Sequence, residues 1–404
     1  AGPATGVAAV PTVAIVSYYD SLGAAPDLSH GFDTNASGVV ALLSLARVFS
    51  KLYGGGGGAR GPYNLLFVLT GGGMLNFAGT RDWLSRADGR LLDSLEVVLC
   101  LDSIGGVGDD LYLHSSKPLK EGVAKQVLDA FTAAAPSAGV RLSSVHKKIN
   151  IANPNLSWQH EQFSLKRIFG LTLSRKSRPP VPAAASLSTA SGASQQAGET
   201  GGASGLVFPP ASIFDRLPPP PSTSTSTSNT VDKAEQCLDK LERNVEFVAE
   251  ALARFIYGLD VTATTTAEGN QDVLSSPVQK VFAGRRGLSG GMLRAWARAL
   301  SQEARPTPFV SDNEHLIDGL RTVLEQYTTD SGLQSVVLPS TYTFYTPTTG
   351  QMSLYRVKPV TFDLVLSLAI LLWLALLHIS IKGPSNIDLS PIKEIFQASK
   401  QKKA

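Results

Sequence analysis

The chain has 404 residues, with 36 Lys and Arg against 33 Asp and Glu and a formal charge of +3. So small an excess excludes a polybasic nucleic-acid binder whose affinity rests on neutralising phosphates, and no direct nucleic-acid binding is expected. At 43% hydrophobic and 17% charged residues the chain is not disordered throughout, and its length suits about two to three domains.

The charge is unevenly placed. From Lys382 to Ala404 there are five lysines against Asp388 and Glu394, a net of +3, so the preceding residues sum to zero. Two cysteines, Cys100 and Cys237, exclude a disulfide-dense scaffold and any Cys-based zinc module. Cys100 lies in an apolar run and reads as a buried thiol. No Met stands at position 1 and no signal-like segment precedes Thr12; the expectation is that an N-terminal portion is missing.

In chain order, Thr12 to Ser17 is a short apolar run of the buried-strand type. Asn35 then offers an N-cap to a helix from Ala36 to Leu52, with Val39, Leu42, Leu43, Ala46 and Phe49 on one face. A five-glycine run, Gly54 to Gly58, ends it, and without a following Lys-Ser/Thr it is a loop and no phosphate cradle. Tyr63 to Thr70 and Leu95 to Asp102 are continuous apolar runs suited to strands covered on both faces, with a short helix from Gly79 to Arg86 between them. Leu111 to His114 and Val140 to Val145 read as weaker strands around a helix from about Leu119 to Ala134, and Ile168 to Leu173 as one more. Alternating strands and helices predict an α/β domain with a mostly parallel sheet.

From Arg178 to Thr230 the chain is Ser, Thr, Ala, Gly and Pro, too poor in apolar area to offset its ordering entropy, and 178–230 is expected to be a disordered surface insertion. From Val231, Leu238, Leu241, Val245, Val248, Leu252, Phe255 and Ile256 form a helical stripe ending at Gly258. Helices near Met292 to Ser301 and Asn313 to Tyr327 and a strand-like stretch from Ser335 to Tyr345 predict a small α+β module over 261–361. Gly287 to Gly291 fits Gly-x-Ser-x-Gly, but no strand precedes it and Ser289 reads as an N-cap. The six histidines show no ligand spacing. Leu364 to Ile381, with Phe362 and Asp363, reaches the ~20 apolar residues that cross a bilayer. A lysine-rich tail over 382–404 follows the span 362–381. By the positive-inside rule the tail is cytosolic and the residues before the span lie on the other side. Asp363 and His378 sit near the ends of the span, where such groups reach the interface or, as the alternative, pair with a multi-pass partner.

Four segments carry a family resemblance: Ser17 to Ser21, Gly31 to Gly38, Gly71 to Thr80 and Leu101 to Gly105. In order and spacing they resemble the metal-binding segments of co-catalytic zinc aminopeptidases, where two cations activate a bridging water and a Glu takes its proton. The resemblance implies a mixed sheet flanked by helices over 1–177 and 231–260. The ligands are missing. Tyr18 stands at the first His, Thr34 at the bridging Asp, Gly73 and Met74 at a Glu-Glu pair, and Arg175 at the final His. Asp102 remains, with Asp20 at the position that would orient the absent His. A zinc site needs three or four ligands, so neither catalysis nor a bound cofactor is expected; Asp33, one place out of register, reads as a turn residue.

These departures, with Val145 to Asn150, Tyr355 to Pro359, Phe362 to Leu364 and the single anchor, resemble the nicalin family, membrane-anchored relatives of nicastrin that lack the metal site. That resemblance implies an endoplasmic-reticulum membrane scaffold whose body is lumenal. Its implied partners are the Nodal modulator protein, a small multi-pass membrane protein, the ribosome-bound translocon and the lipid bilayer. Asn35 and Asn155 open glycosylation sequons, and Lys400 and Lys402 resemble a dilysine retrieval signal. Two other readings remain open: a residual metallopeptidase using Asp33 and Asp102, and a nicastrin-like substrate receptor for an intramembrane protease.

Overall fold

The computed structural model describes residues 10–21, 28–54, 60–106, 108–151, 155–178, 215–217, 228–259, 280–282, 287–305, 315–335, 353 and 360–383. Residues 1–347 and 348–404 form two compact units.

The first unit is built on six strands: β1 (Thr12–Tyr18), β2 (Asn64–Thr70), β3 (Leu95–Leu101), β4 (Asp110–Ser115), β5 (Arg141–His146) and β6 (Gly170–Ser174). Their order is β2-β1-β3-β6-β4-β5. β2, β1, β3 and β6 run parallel; β4 is antiparallel to β6 and carries β5 parallel to itself. The α/β sheet expected from the apolar runs, and its mixed character implied by the aminopeptidase resemblance, are therefore present, and the carboxyl ends of β1, β3 and β6 share one rim.

Helices cover both faces. On one side lie α1 (Ser37–Gly54), α4 (Gly122–Ala138) and α6 (Ser228–Tyr257). On the other, α2 (Ala78–Arg86) and α5 (His160–Leu165) close over Ala14, Val16, Val98 and Cys100 with Leu84 and Phe163. A further turn, α3 (Gly89–Ser94), leads into β3 and is capped by Asp88, whose carboxylate accepts the Arg90 amide at 3.2 Å. α3 and α5 span six residues each, too short to show a helical period, and the sequence gives no sign of them.

α1 is buried on nearly every side because α6, α7 (Gly290–Gln302) and α8 (His315–Tyr327) pack on the face the sheet leaves open. This corrects the expected separate module over 261–361: its two helices belong to the same compact unit as the sheet. The strand expected from Ser335 to Tyr345 lies, apart from Ser335, outside the described residues. α6 carries the predicted stripe, buried from Leu238 to Ile256. It ends at Gly258, whose φ of 58° lets Leu259 N–H reach the Arg254 carbonyl at 3.0 Å and close the last turn. Arg294 of α7 binds Glu235, Asp239 and Glu242 of α6, and Phe282 meets Phe49 edge-on at 5.5 Å.

The second unit holds α9 (Val360–Lys382), 23 residues with a mean hydropathy of 2.6 and none of it buried. It is long and apolar enough to cross a membrane. The stretch from Phe32 to Gly54 passes the same length test but is a core helix, 78% buried.

Candidate functional site: a closed hydrogen-bond circuit at the sheet rim

The residues singled out by the aminopeptidase resemblance do converge. Tyr18 ends β1, Asp102 follows β3, Arg175 follows β6, and Asp33 and Thr34 lie in a π-helical turn, Phe32–Ala36, that opens α1. The turn begins at Gly31, in the left-handed region at φ 60°. A side chain at Gly31 would meet Asn35 and Ser21 within 3.0 Å.

Asn35 is therefore not the N-cap expected of it. It lies inside the turn with no exposure, its amide donating to the Asp20 carbonyl and its oxygen accepting from Arg305 at 2.8 Å. Asn155, the other sequon residue, is exposed. Ser289 does stand at the start of α7, though its hydroxyl makes no capping bond.

The buried Tyr18 hydroxyl donates to Asp102 Oδ1 at 2.8 Å, and Ser174 Oγ donates to Asp102 Oδ2 at 3.2 Å. Burial and the adjacent Asp102 charge push the phenol well above its ordinary range, so it stays a donor. The Tyr18 ring also meets Phe77 edge-on at 5.9 Å. Asn76 and Phe77 are both left-handed, at φ 57° and 54°, a conformation that costs roughly 1–2 kcal/mol per non-glycine residue. It is held by the Asn76 side chain, which accepts the Leu156 amide at 2.8 Å, and by Gln162, which donates to the Asn76 carbonyl at 3.0 Å.

Gly73 stands where the first Glu of the pair would be, and the structure gives it a local reason. A Cβ there would lie closer than 3.0 Å to three Tyr18 carbons. Asp20 Oδ1 accepts the Gly73 amide at 2.9 Å, so it positions this loop. Met74 beside it is half-buried.

Asp33 is part of the circuit and more than a turn residue. Oδ1 accepts the Gly105 amide at 2.9 Å and Oδ2 accepts from Arg175 at 2.6 Å. The Asp33 charge raises the Arg175 guanidinium above its usual range against the opposing effect of burial.

Two further participants were invisible in the sequence. Asp215 lies within the stretch expected to be a disordered surface insertion, yet residues 215–217 sit at this rim. Its carboxylate accepts the Asp33 amide at 2.8 Å, the Thr34 amide at 3.0 Å and the Thr34 hydroxyl, while its carbonyl accepts the Phe32 amide at 3.0 Å. Burial and the Asp33 charge raise the Asp215 carboxyl, which those donors oppose. Arg305, just after α7, is nearly fully buried, and its guanidinium donates to the carbonyls of Tyr19, His30 and Leu300 and to Asn35. Burial lowers it to about 10. Nothing in the composition around Asp215 marks it, because its importance lies wholly in contacts across the fold.

The donor set does not fit a zinc pair. Both Asp102 oxygens already accept hydroxyl donors, a cation fills the place of the final His, and among the described residues no three His, Cys, Asp or Glu side chains are grouped to hold a metal ion. Metal chemistry of this kind needs three or four protein ligands with open coordination.

Two expectations follow from this geometry. Gly73→Ala should destabilise the domain by about 1–3 kcal/mol through overpacking, and Tyr18→Ala should relieve that clash; a double-mutant cycle in urea that shows no coupling contradicts the packing. Asp215→Ala leaves the Asp33 and Thr34 amides without their acceptor, which at about 1–3 kcal/mol per buried unmet donor should lower stability by at least about 2 kcal/mol. A denaturation midpoint that does not move refutes this role.

The family model for Peptidase family M28 matches residues 5–152. A zebrafish (Danio rerio) protein named BOS complex subunit ncln is 34% identical over 385 residues, 93% of this chain and 60% of the relative. The human BOS complex subunit NCLN is 32% identical over 92% of this chain and 58% of its own length. Nicalin of Caenorhabditis elegans is 36% identical over 44% of this chain and 35% of its own length. The chain thus spans about 60% of the length of the zebrafish relative. Among solved structures, an aminopeptidase from Aneurinibacillus sp. strain AM-1 aligns at 19% identity over 60% of this chain and 43% of its own, with a TM-score of 0.37. Over more than nine-tenths of its length the chain is similar to the proteins named BOS complex subunit NCLN, and residues 5–152 match the model of Peptidase family M28.

Proposed function

We propose that the chain is a catalytically inactive, aminopeptidase-like scaffold subunit of an endoplasmic-reticulum membrane complex. One observation carries the reading: at the rim to which the aminopeptidase resemblance assigns the metals, Tyr18, Asp102, Ser174, Asp33, Arg175, Thr34 and Asp215 are bonded to one another. Among the described residues, both oxygens of Asp102 and both of Asp33 are already engaged by donors there. A fold kept while its reaction centre is closed serves by presenting surfaces.

The relatives' printed name, BOS complex subunit, supports membership of a multi-subunit assembly. As a nicalin-like protein this chain would assemble with the Nodal modulator protein and a small multi-pass membrane protein, next to the ribosome-bound translocon that handles multi-pass membrane proteins. The helix α9 suits a single span, and the five lysines from Lys382 onward favour a cytosolic tail. Lys400 and Lys402 lie outside the described residues and would act as the retrieval signal. Of the two sequons, Asn155 is the acceptor, because Asn35 is buried and bonded on both sides of its amide.

Affinity purification from gently solubilised microsomes should recover the Nodal modulator together with translocon components, and recovery of neither would overturn the scaffold reading. Co-purification of a presenilin-type protease instead would favour the substrate-receptor alternative. Endoglycosidase treatment of the microsomal protein should shift its mobility in a way that Asn155→Gln abolishes and Asn35→Gln does not; the reverse pattern refutes the choice of acceptor.

A further inference from the structure

The sheet ends at β5, and among the described residues no strand pairs with its outer edge. Its register with β4 runs from Arg141 to His146 without a shift. The amides of Arg141 and Lys147 donate inward, to the carbonyls of Asp109 and Ser115 at 2.8 and 3.0 Å. In a regular ladder every second residue bonds to the same neighbour, so the backbone groups of Leu142, Ser144 and His146 face away from the sheet. Open edges are templates for another strand, and proteins blunt them with lysine, proline, a bulge or a cover. The middle of β5 has neither lysine nor proline. Arg141 turns aside into a two-bond ion pair with Asp110 at 2.6 and 3.0 Å. Ser143 and Ser144 are exposed and small, leaving the backbone accessible.

Positive charge gathers at one end of this edge. Lys147 and Lys148 follow β5 directly. Ser115, at the end of β4, accepts the Lys147 amide, and its hydroxyl donates to the Lys117 carbonyl at 2.8 Å, which brings Lys117 alongside. All three lysines are exposed. Lys147 reaches the Ser157 hydroxyl at 3.4 Å. The nearby Glu161 carboxylate is engaged by the Ser157 amide at 2.8 Å. Among the described residues no carboxylate lies within ion-pair distance of the three ammonium groups.

We infer that β5 is a docking edge for an extended segment of a partner protein, which adds to the sheet as a seventh strand and carries acidic residues at the end beside Lys117, Lys147 and Lys148. Main-chain pairing along Leu142, Ser144 and His146 supplies the affinity, and the lysines fix direction and register by charge. The inference rests on the sheet and its charges alone and stands apart from the membrane reading.

The test uses the full chain in detergent micelles and a fluorescent peptide of about twelve residues, long enough for one strand, with alternating Val and Thr and a run of Glu at one end. Binding should protect the amides of Leu142, Ser144 and His146 from hydrogen exchange. Ser144→Pro removes an outward donor without touching the β4 ladder, a position where proline is tolerated, and should weaken binding about tenfold or more, a loss of about 1.4 kcal/mol. Lys147→Glu with Lys148→Glu should weaken the acidic peptide to a similar degree and admit a peptide with Lys in place of Glu. Both variants should keep the parent's thermal midpoint; if Ser144→Pro unfolds the domain, the charge swap and the exchange pattern decide. Failure of the acidic peptide to bind, binding without protection of β5, equal binding of the Lys peptide to the parent chain, or its displacement by phosphatidylserine vesicles would each overturn the proposal.

Discussion

Two carboxylates, Asp33 and Asp102, are held at the carboxyl rim of the sheet with little access to water. A buried carboxylate without a cation or sufficient donors costs several kcal/mol and in practice gives up its charge or the fold. Here that demand falls to side chains. Tyr18 and Ser174 satisfy Asp102, and Arg175 and the Gly105 amide satisfy Asp33. Much of the surrounding structure follows from this requirement: a buried tyrosine ring against Asp102, a glycine at position 73 that makes room for that ring, and a left-handed Asn76-Phe77 pair that brings a second aromatic against it.

Asp215 brings a third carboxylate to the rim from within the Ser/Pro-rich stretch. Its acceptors point at the opening turn of α1, where free amides and the helix dipole favour a negative charge. Because Asp33 contributes its side chain to Arg175 and its amide to Asp215, the residues on either side of 179–214 are fastened to one point. Arg305 secures the other side of the same turn from the far end of α7, which is why α7 and the sheet behave as parts of one unit.

The fold was largely legible in the sequence, and the reasons are physical. Buried parallel strands such as β1 and β3 need apolar residues on both faces, so Thr12 to Ser17 and Leu95 to Asp102 announce themselves as continuous runs. The stripe of α6 shows because its other face meets solvent. α3 and α5 escaped because six residues carry no period. The rim was half legible. The aminopeptidase resemblance singled out Tyr18, Thr34, Gly73 and Arg175, and the fold brings these residues to one rim. The resemblance could not tell that Asp33 pairs with Arg175, that Asn35 serves inside a turn instead of at its cap, or that an aspartate among serines and prolines closes the circuit. Those roles depend on residues up to 270 positions apart.

We propose that side-chain bonding takes the place of metal at this rim. Zinc analysis of the purified chain after equilibration with excess zinc and removal of the unbound ion tests it most directly. The account predicts no stoichiometric zinc and no change in thermal midpoint on adding a chelator. One or two zinc ions retained per chain and lost on Asp102→Ala would contradict it.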